Sequence, residues 1–132
     1  EKTKRFLDIA APFIQAYSVG DDLATQNGLL ISIPMYREFV KPYQAETYAY
    51  IKKRTNAKIV YHSCGSVRQL IPELIEIGVD AINPVQVSAK NMDTHDLKRE
   101  FGKEISFWGA IDTRRVLPYG TEKEIAEEAK NS

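Results

Sequence analysis

Cysteine is almost missing from this chain: one residue, Cys64, stands among 132. No intrachain disulfide is possible, so packing alone must hold the fold, and a thiol-preserving cytoplasm is the expected compartment. An excess of either charge is missing as well, because 18 Lys and Arg meet 18 Asp and Glu. Nucleic acid and membrane surfaces are bound through clustered positive charge, so neither is an expected partner and a small molecule is. Long apolar runs are also absent. Gly28-Leu29-Leu30-Ile31 is among the longest, far short of the roughly 20 residues a spanning helix requires. No basic-then-apolar leader opens the chain, which sets the expectation of a soluble, untargeted protein.

What the sequence does contain is alternation. Four short β-rich runs, Ala16-Tyr17-Ser18-Val19, Lys58-Ile59-Val60-Tyr61, Asp80-Ala81-Ile82 and Ile105-Ser106-Phe107-Trp108, are separated by segments of helical periodicity. Phe6, Leu7, Ile9, Ala10 and Phe13 form the first helical stripe, with Pro12 ending it. Ser32 is placed to cap a second helix through Tyr36, Phe39, Tyr43, Tyr48 and Ile51, with Pro42 kinking it. Ser66 and Gln69 have capping-box spacing ahead of Leu70 to Ile75. Pro72 is placed to split that helix, and Gly78 to end it. Asp93 opens the next helix, which Gly102 closes, and Thr121 with Glu124 opens the last.

This order predicts an α/β fold of parallel strands joined by right-handed helical crossovers. An open three-layer sheet fits the length, whereas a (β/α)8 barrel needs about 250 residues and would be only half present. No repeat or linker divides residues 1–132. The first helix lacks an N-cap and the last runs out at Ser132, so one domain truncated at both ends is expected.

In either architecture ligands bind at the carboxyl ends of the strands. Those ends are polar: Gly20-Asp21-Asp22, His62-Ser63-Cys64-Gly65, Asn83-Pro84-Val85-Gln86 and Gly109-Ala110-Ile111-Asp112. His62 and Cys64 are the sharpest pair, since strand residues i and i+2 share a face about 6.6 Å apart. Imidazole and thiolate are both zinc ligands, but without further context a core histidine beside a buried cysteine is the commoner arrangement. A helix N-terminus at Gly65-Ser66 would lower the thiol pKa. Asp21 and Asp22 read as a turn pair or, with Gln26 and Asn27, as a substrate-contacting loop. Asp112 reads as a cap or a site carboxylate, and Trp108 by itself as barrel interior. Asp93-Thr94-His95 begins like the D-x-H-x-x-G by which some proteins ligate corrinoid cobalt. Lys98 stands where the glycine belongs, so His95 reads as surface.

These segments, with Met35-Tyr36-Arg37-Glu38-Phe39-Val40-Lys41-Pro42-Tyr43 and Ile77-Gly78-Val79-Asp80, resemble the uroporphyrinogen decarboxylase superfamily nearly end to end and in order. The resemblance implies a TIM barrel of which these strands are the fourth to seventh. Half a barrel leaves two open sheet edges and an uncovered inner face, so marginal stability alone is expected, with the remaining strands on a longer product or a second chain. In the zinc-dependent methyltransferase branch, metal is held by H-x-C-G, matched by His62 and Cys64, and by a later cysteine that would fall beyond Ser132. The implied activity is methyl transfer from a corrinoid, carried by a partner protein, to a thiol. Asp21, Asp22 and Asp112 would be catalytic, with Gln26, Asn27, Asn83, Gln86 and Trp108 binding substrate. The implied alternative is metal-free decarboxylation of a porphyrinogen, the tetrapyrrole precursor of heme, through a carboxylate on an early strand. A non-catalytic half-barrel module is the remaining reading.

Overall fold

A computed structural model describes residues 1–131. The first helix, α1 (Lys2–Ala10), buries Leu7 and sets Phe6 edge-on against Tyr17 in β1 (Ala16–Gly20), ring centroids 5.6 Å apart. After β1 the backbone folds into a small hairpin closed by an antiparallel bridge between Ala24 and Leu29. Ser32 then accepts the Met35 amide and caps α2 (Ile33–Phe39).

Pro42 does not kink one long helix as the pattern suggested. It lies in the first turn of a separate helix, α3 (Lys41–Arg54), where the missing N–H costs nothing and the chain corners at Val40. The helical aromatic set divides accordingly: Tyr36 and Tyr48 are buried, while Phe39 and Tyr43 face outward.

The second strand, β2 (Lys58–His62), is followed by a 3₁₀ turn at Arg68–Leu70 and by α4 (Ile71–Glu76), with Pro72 in its first turn. The predicted Ser66/Gln69 capping box is not formed. Ser66 Oγ instead donates to the Lys90 carbonyl at 2.6 Å, so the hydroxyl ties two loops together. Gly78 does end α4 at φ 88°. The third strand, β3 (Ala81–Val85), runs three residues beyond the expected end at Ile82. A register shift against β4 (Ser106–Gly109) lies between Ile82 and Val85, and Pro84, which has no N–H to donate to a ladder, falls within it. Asp93 caps α5 (Thr94–Phe101) through the Asp96 amide. After β4 come α6 (Val116–Tyr119) and α7 (Glu122–Asn131), the latter opened by the reciprocal Thr121/Glu124 box.

The strands pair in the order β1-β2-β3-β4, every pair parallel. Consecutive parallel neighbours joined through helices are the (β/α)8 arrangement, here four strands of it. Ile59, Tyr61 and Ile82 are fully buried in a core that also holds Tyr36, Ile51 and Leu74.

One ionic cluster braces the helical layer. The Glu73 carboxylate, 6% exposed, receives Arg37 at 2.6 Å and Lys41 at 2.7 Å, and Lys41 also meets Glu76 at 2.7 Å. The Arg37 and Lys41 hydrogen bonds pull the Glu73 carboxyl down from an ordinary 4.5 to about 2. A depressed folded-state pKa stabilises the fold fully above the unfolded value and progressively less as pH falls from about 4.5 toward 2. Glu73→Gln is therefore expected to lower stability at neutral pH and flatten the acid limb in that window, as read by urea midpoints of the full chain across pH.

Candidate functional site

The strand register assembles the site. Gly20, His62 and Asn83 are paired neighbours on β1, β2 and β3, at the carboxyl ends of the strands. A side chain at position 20 would collide with His62: an added Cβ would lie 2.5 Å from its carbonyl oxygen and 2.8 Å from its Cβ. Glycine there lets the histidine backbone close on β1.

Next to it, in the loop that follows β1, stands Asp22. Asp22, His62 and Cys64 place one ligand atom each within 4.8 Å of one another, the one such group of three among the described residues. His62 Nε2 is 4.0 Å from Cys64 Sγ and 4.0 Å from Asp22 Oδ1, which accepts the Cys64 amide at 2.9 Å. His62 Nδ1 lies 3.0 Å from Asn83 Oδ1. A carboxamide oxygen only accepts, so this contact is a hydrogen bond in the tautomer that carries its hydrogen on Nδ1, in which Nε2 has a lone pair toward the cysteine and the carboxylate.

The H-S-C-G-S loop is clamped from both sides. From β1, Leu23 donates to Ser63 Oγ at 3.2 Å, and the Thr25 carbonyl accepts the Ser66 amide at 2.8 Å. From β3, Gln86 Oε1 accepts the Gly65 amide at 2.7 Å. Gly65 itself sits at φ 85°.

No helix begins at Gly65-Ser66, which removes the expected source of thiol acidification. Burial, and then the Asp22 carboxylate, push the Cys64 thiol up instead. Left to these surroundings the sulfur is a neutral thiol. A cation between the three groups reverses that balance, because a coordinated thiol is deprotonated.

The other predicted residues fall in different places. Asp21 points away from the triad to the helical layer, where Gln44 Nε2 donates to its Oδ2 at 3.1 Å. Gln44 in turn accepts from Tyr36 at 2.7 Å, and the Tyr61 hydroxyl donates to the Asp21 carbonyl at 3.1 Å. Burial heads the causes that raise the Tyr61 hydroxyl to about 12, so it stays a donor. Asp112 caps its own turn by accepting the Arg114 and Arg115 amides at 2.8 and 3.1 Å. Gln26 receives Arg114 at 2.8 Å and so joins the β1 loop to the β4 loop, while Asn27 is exposed at the hairpin tip. Trp108 is 62% exposed rather than packed. His95 is exposed, as expected, on the lining of a separate cavity of about 470 Å3. Gln44 had no sequence signal. It lies among polar helix residues, and only the tertiary fold shows that it is buried.

The chain matches the family model for uroporphyrinogen decarboxylase (URO-D) over residues 3–132. It belongs to the uroporphyrinogen decarboxylase family. No curated protein and no solved structure gives a match beside it. Family membership brings an enzyme lineage to the polar mouth, and the α/β strand order agrees with the barrel expected for it. Among the described residues of this URO-D family chain, no helix is long and apolar enough to cross a membrane.

Proposed function

We propose that this URO-D family chain carries the metal-binding portion of a methyltransferase that moves a methyl group from a methylated corrinoid to a small thiol. The observation carrying the proposal is the convergence of three unlike donors, Asp22, His62 and Cys64, within 4.8 Å. Nitrogen, sulfur and oxygen donors of this kind suit zinc, and three protein ligands plus an open position are the catalytic pattern. His62 Nε2 stands 4.0 Å from each of its two companions, about half an ångström beyond the spacing that bonds of about 2.0–2.3 Å to one ion would set.

Zinc, when bound, favours the thiolate form of a thiol substrate at neutral pH. The chain's own residues do the rest. His62 offers Nε2, Cys64 offers Sγ, and Asp22 holds the intervening backbone through the Cys64 amide. Asp22 stands where the third donor is needed within this chain, in the place that the later cysteine takes in the family resemblance. In the transfer, the substrate sulfur forms a bond to the methyl carbon. A methylated corrinoid brought by a partner protein would be the methyl donor and would keep the electron pair of the bond it gives up.

The direct test is to incubate the full chain with free methylcobalamin and a series of small thiols, following loss of the cobalt–methyl absorbance and appearance of thioether. Turnover that disappears with chelator and returns with zinc is expected. A full chain that binds no zinc and consumes no methylcobalamin would overturn the proposal in favour of metal-free decarboxylation.

A further inference from the structure

We propose that Asn83 is a positioning residue that selects the His62 tautomer, making Nε2 the ring's electron-pair donor; its use by a metal rests on the function proposed above. The strand pairing makes the selection direct. His62 and Asn83 are register partners on β2 and β3, and the Ser63 amide donates to the Asn83 carbonyl at 3.0 Å, so backbone pairing holds the two side chains side by side. Asn83 Oδ1, 3.0 Å from Nδ1, accepts the ring N–H.

The selection matters because the imidazole is otherwise weakly constrained. Its side chain is 47% exposed, and among the described residues the other polar groups beside the ring are Cys64 Sγ and Asp22 Oδ1, both at 4.0 Å from Nε2. A neutral imidazole must place its one hydrogen on one nitrogen. Were it on Nε2, the ring would present an N–H to the space between the thiol and the carboxylate, and no cation could enter. The Asn83 oxygen puts the hydrogen on Nδ1, and the space is then lined by three electron-pair donors. Gln86, three residues on, steadies the same loop at the Gly65 amide. Both amides, expected to bind substrate, are hydrogen-bonded to the loop that carries the ligands.

The experiment uses the full chain labelled with 15N-histidine and stripped of metal, at a pH where the ring is neutral. Long-range 1H–15N spectra report which ring nitrogen bears hydrogen, and His62→Gln identifies the His62 signals against those of His95. The Nδ1–H form is expected to dominate in the wild type and in Asn83→Asp, which keeps an acceptor, and to lose its dominance in Asn83→Leu. Zinc affinity measured by chelator competition should fall about 10- to 100-fold in Asn83→Leu and be largely restored in Asn83→Asp. A dominant Nε2–H form in the wild type, which needs no variant to observe, would overturn the assignment. So would an unchanged tautomer in a folded Asn83→Leu. If the tautomer behaves as stated but zinc never binds, the assignment to Asn83 stands and the metal function fails.

Discussion

Cys64→Ser in the full chain is expected to take bound zinc from about one per chain to nearly none and to cut thiol methylation roughly a thousandfold or more. The magnitude follows from what remains. Serine keeps the shape but offers a hydroxyl that does not ionise at neutral pH, leaving one imidazole and one carboxylate for an ion that binds through three or four protein groups. Loss of a group that merely supports a ligand costs about 10- to 100-fold in affinity, and a direct ligand is worth more. Stability should barely change, because Cys64 is only half-buried. Its amide bond to Asp22 is made by the backbone and survives the substitution. Elemental analysis beside a thermal melt separates these effects. Unchanged zinc with full turnover in the variant would return Cys64 to a packing role.

Gly65→Ala is expected to do the opposite, damaging fold and site together. An alanine Cβ there would lie 2.5 Å from the Thr25 carbonyl oxygen and 2.9 Å from the Ala24 carbonyl carbon, both backbone atoms that cannot swing aside. The residue also holds φ 85°, a region side-chain-bearing residues occupy at a cost of about 1–2 kcal/mol. Strain and collision together should destabilise the full chain by about 3 kcal/mol. The relief available is to push the β1 hairpin away from the loop. That breaks the Ser66 to Thr25 hydrogen bond and opens the distance between Asp22 and Cys64. Urea unfolding and zinc titration of the same protein should therefore fail together, whereas Cys64→Ser loses only the metal.

His62 and Cys64 were legible in the sequence because a two-residue spacing is local, although the strand ends at His62 and Cys64 lies in the loop beyond it. Their third companion was only half legible. Asp22 stood out as part of a polar strand end, yet nothing within 40 positions of sequence separation says that it, rather than Asp21, turns toward Cys64. Strand alternation decides that, one residue past Gly20, and sends Asp21 to Gln44 instead. The strand starts were legible for the same local reason. The extension of β3 through Pro84 was not, since proline reads as a stop, and only the shifted pairing with β4 shows how a residue without an N–H is accommodated. Ser66 and Gln69 had the spacing of a cap, but a tertiary acceptor, the Lys90 carbonyl, took the hydroxyl. Each miss is a case of a long-range partner outcompeting a short-range pattern.

Helix α3 carries Lys41 and Gln44 one turn apart, the first bound to Glu73 at 2.7 Å and the second to Asp21 at 3.1 Å. The two attachments make its first turn a tie-rod between the outer ionic brace and the loop that begins with Asp21 and Asp22. Acid strong enough to discharge Glu73 slackens the far end of that rod while the strands are still paired. The mouth should thus lose its alignment before the sheet melts, and the protein should stop working in acid while still looking folded.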